Sequence, residues 1–139
     1  MSSLTTVREA MADTVNTIDG ITAYAKTPSR AVVPCCVILP MEADFTRAFG
    51  RGLDTWDFHL IIGVTRTEFS VAEDKLDGFI NGFGEQSIRE VLFKNPNMGL
   101  DDTAVVAVKM LNYLHNTHWG GVEILSATLQ VTVHTKGFA

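Results

Sequence analysis

Asp54-Thr-Trp-Asp-Phe-His-Leu-Ile-Ile-Gly-Val-Thr65 decides how the chain is read. Trp56, Phe58, Leu60, Ile62 and Val64 alternate with Thr55, Asp57, His59, Ile61 and Thr65. Successive side chains of a strand point to opposite faces of a sheet, so this spacing predicts a long strand with one wholly apolar face. Such a face needs a covering layer, which the flanking sequence must supply.

Downstream, Ser70-Val-Ala-Glu73 has the form of a capping box, in which the hydroxyl and the carboxylate satisfy amides at a helix start. A helix is predicted from there, with Val71, Ala72, Leu76, Phe79, Ile80 and Phe83 as its core stripe and Gly82 and Gly84 ending it. A second box, Ser87-Ile-Arg-Glu90, opens a shorter helix to about Phe93, before Asn95-Pro96-Asn97 breaks the pattern. The β-branched content of Thr103 to Leu114 predicts a strand. A polar turn at Asn116-Thr117-His118 follows, and then a last strand with Leu125, Ala127, Leu129, Val131 and Val133 on one face.

Upstream, Leu4, Val7, Met11, Val15 and Ile18 recur at steps of three and four, which predicts a helix from Ser3 to Ile18, stopped by Asp19-Gly20. Ile21 to Ala25 reads as a short strand, followed by the polar connection Lys26-Thr-Pro-Ser-Arg30. Cys35 to Leu39 reads as a strand framed by Pro34 and Pro40, in an edge or strongly bent position. Residues 41–53, with two aromatics and two glycines, suit an extended arm or a long hairpin tip. The order predicts an α+β fold, a small antiparallel β-sheet packed on one side by helices, in a single domain over residues 1–139.

The bulk properties agree with one folded domain. At 139 residues, 46% apolar and 19% charged, the chain has enough material for one core. A net charge of −5 works against non-specific attraction to nucleic-acid phosphates. The opening residues lack the pattern of a secretory signal, and no apolar run is long enough for a bilayer span, so neither export nor a membrane is expected. Cys35 and Cys36 are adjacent, point to opposite faces of an extended segment, and are expected to be free thiols in a reducing cytoplasm.

Signals for chemistry are sparse. His115-x-x-His118 is the one local metal pattern, but no Cys or carboxylate nearby completes a tetrahedral set. His59 lies on the less apolar face of the long strand, and His134 is near the end of the chain. Asp101-Asp102 and Glu73-Asp74 are accounted for by turn formation and helix capping. No nucleophile elbow, phosphate-binding loop or dinucleotide fingerprint occurs. No catalytic residue, cofactor or metal is therefore expected, and the chain is read as a non-enzyme. Trp56 and Trp119 are assigned to the core or a subunit contact, since no basic residues interleave with them. Phe45, Arg47, Phe49 and Arg51 alternate with small or polar residues, and these are residue types enriched in protein interfaces. They are the candidate interface set.

Four stretches carry a family resemblance: Met1-Ser-Ser-Leu-Thr-Thr-Val-Arg-Glu-Ala-Met-Ala-Asp13, Phe49-Gly-Arg-Gly-Leu53, Ser87-Ile-Arg-Glu-Val-Leu92, and Trp119-Gly-Gly-Val-Glu-Ile-Leu-Ser-Ala-Thr-Leu-Gln-Val-Thr-Val133. Together the chain resembles tail terminator proteins of long-tailed phages that infect actinobacteria, over nearly its whole length. It departs from the family picture at Cys35-Cys36 and at Trp119, where Tyr is expected. The resemblance implies a virion protein assembled in the host cytoplasm, as a homo-hexameric ring on the end of the tail tube. Such a ring stops polymerisation of the tube protein and docks the head connector or completion protein. Genomic DNA passes through its lumen without sequence-specific binding. A neighbouring head-completion or connector protein is the alternative within this class, and a small-molecule binder or enzyme the alternative outside it.

Overall fold

The computed structural model of the chain describes residues 3–26, 34–44, 54–65, 69–119 and 122–135, with the backbone alone at 44, 69–70, 114–119 and 122–123. In chain order the elements are α1 (Leu4–Val15), β1 (Thr22–Tyr24), β2 (Cys35–Asp44), β3 (Asp54–Thr65), α2 (Phe69–Ile80), α3 (Ile88–Lys94), β4 (Thr103–Trp119) and β5 (Val122–Thr135). The five strands form one sheet in the order β1-β2-β3-β5-β4, and three helices pack against it. The fold is α+β, as the pattern predicts.

The alternation in β3 governs the centre of this sheet. Phe58 pairs with Val131, Leu60 with Leu129, Ile62 with Ala127 and Val64 with Leu125, all on the same face. Cys36 and Ile38 of β2 extend that face beside Ile62 and Leu60. Against it lie Val7, Met11 and Val15 of α1, Ala72, Leu76 and Phe79 of α2, and Ile88 and Leu92 of α3, in one buried cluster. Burying each large side chain of this set stabilises the fold by about 1.5–3 kcal/mol before the entropy of ordering is subtracted.

Several expectations need correction. The sheet is mixed, because β1 runs parallel to β2, pairing Thr22 with Cys35 and Tyr24 with Val37. The strand at Cys35 does not stop at Pro40 but continues to Asp44, Pro40 opposing Phe58 where the register shifts before Glu42. A proline removes one ladder donor, and a bulge lets the strand bend and carry on. The edge assignment is right for part of β2 only, since β1 covers just Cys35–Val37. Beyond that point Arg8 of α1 donates from its guanidinium to the Ile38 carbonyl at 3.0 Å. Asn16 closes the outer side of β1 in the same manner, accepting from the Ala23 amide at 2.8 Å and donating to the Ala23 carbonyl at 3.2 Å.

Helix boundaries also differ. α2 begins at Phe69, so Ser70 lies inside its first turn and is not the cap. Val71 and Phe83 leave the predicted stripe, at 45% and 76% exposure. Ala72, Leu76 and Phe79 occupy the i, i+4, i+7 face, from which Val71 is rotated by about 100°. Phe83 falls beyond the last helical residue, Ile80.

Ser87 does cap α3, accepting from the Glu90 amide at 3.1 Å while its hydroxyl donates to the Asn81 carbonyl. Only half of the box forms there, because Glu90 reaches past Ser87 to the Gly84 amide at 2.5 Å. Ser87 is fully buried, so Ser87→Ala removes a cap and leaves the Asn81 carbonyl short of a donor. A loss of about 2 kcal/mol is expected, read as a lower urea midpoint with unchanged slope. A loss below about 0.5 kcal/mol would show that the cap is dispensable.

The last two strands extend further than predicted. Asn116, Thr117 and His118 are strand residues, paired with Leu125, Ile124 and Glu123. Trp119 opposes Val122, so the connection is Gly120 and Gly121.

Candidate functional site

The free edge of β4 stands out among the described residues. β4 is the last strand in the sheet and has a neighbour only in β5. From Val106 to Tyr113 every residue but Val108 is exposed, so strict alternation lapses and both faces meet solvent. The exposed side chains include Val106 at 42%, Met110 at 53%, Leu111 at 39% and also Tyr113. Unpaired main-chain groups beside apolar side chains form a template for association. The features that blunt such edges are also here: Lys109 projects from the strand, and the register shifts at Val105/Ala107, Met110/Asn112 and Asn112/His115.

Where this strand faces α2, an open groove of about 380 Å³ lies between Asp77 and Ile80 of the helix, Asn81 just beyond it, and Met110 and Tyr113 of the strand. Its lining combines the apolar Ile80 and Met110 with the Asp77 carboxylate. The Tyr113 hydroxyl donates to the Asp77 carboxylate, which ties helix to strand. Partial desolvation, that hydrogen bond and the charges of Asp77, Glu73 and Asp74 push the phenol up to about 12. Tyr113 therefore stays protonated, as a donor, through the physiological range.

Two further depressions carry less chemistry. One lies between α1 and the 95–100 turn and contains Thr6, Thr14 and Thr17. Those hydroxyls are engaged locally: Thr14 donates to the Ala10 carbonyl, Thr17 to the Thr14 carbonyl, and Thr6 meets Ser3. The other, by Asp19, Asn81 and Gln86, gathers polar groups without a thiol or imidazole.

The two thiols are both buried and free. Cys36 belongs to the core, while Cys35 lies on the opposite face with its sulfur beside Gly63. Burial pushes Cys35 up to about 11, against a smaller opposing effect of its hydrogen bond with the Gly63 backbone, and raises Cys36 further. Since the folded values lie above the unfolded one, these thiols favour folding below about pH 9, and that contribution fades as pH rises toward 11. A thiol reagent at pH 8 is expected to find no fast-reacting group in the native protein and two after denaturation. One fast-reacting equivalent in the folded state would contradict this burial.

Phe45, Arg47, Phe49 and Arg51 lie outside the described residues; they belong to the link 45–53 between Asp44 and Asp54. The backbone places His115 opposite Ser126 and His118 opposite Glu123, in a strand instead of the expected turn, with their side chains outside the description, as is that of Trp119. Trp56 is half-buried against the core, its ring 6.2 Å from that of Phe58 and inclined by 23°. Among the described residues no three His, Cys, Asp or Glu side chains gather as a metal site would need. No described helix is long and apolar enough to cross a membrane. Sequence reading missed the Asp77–Tyr113 groove; the available signal was the run Val105 to Tyr113, apolar without the alternation of a half-buried strand. No protein-family model matches the chain, and no curated protein matches it.

Proposed function

We propose that the chain is a structural, non-enzymatic subunit of a closed ring: a tail terminator that sits on the end of a phage tail tube, stops its growth and docks the head connector. The observation that carries the assembly role is the β4 edge, where Val106, Met110, Leu111 and Tyr113 lie exposed along a strand with a free side. On a monomer that edge is a liability, and burial against another copy removes it. Where the covering surface lies elsewhere on the other copy, the interface is head-to-tail and either closes into a ring or grows into an open filament. The resemblance over nearly the whole chain supports six copies and the phage tail as the setting, in the virion at the head-tail junction. The candidate set Phe45, Arg47, Phe49 and Arg51 belongs to the same reading, as part of the joint between subunits.

The test is the mass of the purified protein by mass photometry, with negative-stain images of the protein and of purified tails. Rings of six, also present as one layer at the head-proximal tip of tails, are the expected result. A monomer at every concentration that is missing from mature tails would refute the reading. Rings found on filled heads and not on tails would assign the chain to the head-completion or connector class.

A further inference from the structure

We infer that the two outer strands of the sheet join copy to copy: Ala104 to Lys109 of β4 in one copy lies antiparallel against Met41 to Asp44 of β2 in the next, so that the sheet continues from subunit to subunit. This inference rests on the ring reading and supplies the second surface that a head-to-tail joint needs. Two edges are open among the described residues. One is β4, paired only with β5. The other is the later part of β2, which β1 pairs only at Cys35–Val37. Arg8 occupies the Ile38 carbonyl and Pro40 has no amide to donate, so the stretch left for a partner begins at Met41. Met41 is 55% exposed, and Glu42 beside it is exposed too.

Register across the sheet sets which residues meet. Leu39, His59, Gln130 and Lys109 form one row, Glu42, Asp57, Thr132 and Ala107 another, and Ala43, Trp56, Val133 and Val105 the next. Rotation about an axis along the strands keeps every row at its own height, which brings Ala107 of one copy opposite Glu42 of the next and Val105 opposite Ala43. The sense agrees: β2 with β3, β3 with β5 and β5 with β4 are each antiparallel, so β4 runs opposite to β2 in its own copy and in a rotated one. Met41 and Val106, which the two register shifts leave out of their ladders, come to about the same height, both apolar and exposed. Charge is matched as well. Cys35–Asp44 carries Glu42 and Asp44, whereas Lys109 is the charged residue from Thr103 to Tyr113. Lys109 and Glu42 share the sheet face of His59 and Asp57, two rows apart, a diagonal that long side chains span. Further along, Leu111 comes level with Val37, where β1 fills the place outside β2. There β4 shifts register again, at Met110/Asn112 and Asn112/His115, and such bulges bend a strand out of the way.

Disulfide trapping tests this joint, because both native thiols are buried. Full-length Glu42→Cys and Ala107→Cys proteins would be mixed and mildly oxidised, alongside a chain bearing both substitutions. Within one copy the two positions are three strand spacings apart, about 14 Å, beyond the roughly 7 Å that a disulfide bridges, so any bond between them joins two copies. Covalent dimers in the mixture and a ladder up to the ring from the doubly substituted chain are expected. Lys109→Glu should weaken ring formation at least tenfold, and Glu42→Lys added to it should recover part of that loss. Hydrogen exchange on the wild-type protein reads the same joint without a substitution: amides of Met41 to Asp44 and Ala104 to Lys109 should slow on assembly. Intact wild-type rings in which those amides exchange as they do in the diluted monomer would overturn this inference and leave the ring standing. Dimers from Ala107→Cys alone, with none joining it to Glu42→Cys, would overturn it in favour of β4 pairing with β4 about a two-fold axis. A wild-type protein that stays monomeric at every concentration would overturn both readings.

Discussion

Phe58→Ala is expected to lower the stability of the fold by about 3–5 kcal/mol. Among the described residues Phe58 is the largest of the fully buried side chains, set where β2, β3 and β5 meet: it opposes Pro40 on one side and Val131 on the other, and stacks on Trp56. Truncation removes the transfer free energy of the ring and leaves a cavity that paired strands on both sides cannot collapse into. A domain of this size has only about 5–15 kcal/mol in total, so the variant should unfold at far lower urea and give a poor yield near body temperature. Urea unfolding followed by tryptophan fluorescence would measure it, and a loss under about 1 kcal/mol would mean that the core at this point is loosely packed.

Leu111→Glu is expected to do the reverse. Leu111 is 39% exposed on the outermost strand, so a carboxylate there should leave monomer stability within about 0.5 kcal/mol. If β4 forms the joint of the proposed ring, assembly should weaken by about 2–4 kcal/mol, roughly 30- to 1000-fold in affinity, because a charge would have to be desolvated there. The two quantities separate by combining thermal unfolding at high dilution with ring yield on size exclusion. Intact rings from Leu111→Glu would remove β4 from the joint, and a large fall in monomer stability would assign Leu111 to the core.

What was legible in the sequence was what depends on local periodicity. The face of β3, the stripe Val7, Met11 and Val15, the cap at Ser87 and the face Leu125 to Val133 each follow from spacing along a few turns or a single strand. The misreadings arose where a residue type was taken as punctuation. Pro40 looked like a stop, but a register shift lets the ladder continue past it. Asn116-Thr117-His118 looked like a turn because it is polar, yet those residues pair with β5, and the connection is the glycine pair just beyond. Non-local facts were out of reach: nothing in Thr22–Tyr24 tells which strand it joins or in which direction, and the parallel pairing with β2 is set by the whole path between them. The same holds for the groove, since Asp77 and Tyr113 are 36 residues apart in sequence. The candidates Phe45, Arg47, Phe49 and Arg51 remain a reading of the sequence.

The short glycine link between β4 and β5 bears on the order in which the chain acquires its structure. A hairpin whose strands are joined by two residues closes with little loss of loop entropy, and its ladder, from Trp119 and Val122 to Thr103 and Thr135, can zip from the turn outward. β3 must find β5 across α2, α3 and β4, a closure that costs more and forms contacts of much larger separation. The hairpin is thus the natural early structure, and the docking of β3 the slower step that completes the core. While that step is pending, the outer edge of β5 is open as well as that of β4, and the newly made chain is most prone to pair with a neighbour in the wrong register. Slow synthesis at low temperature should then favour soluble protein over aggregate, through kinetics alone and with no change in the final state.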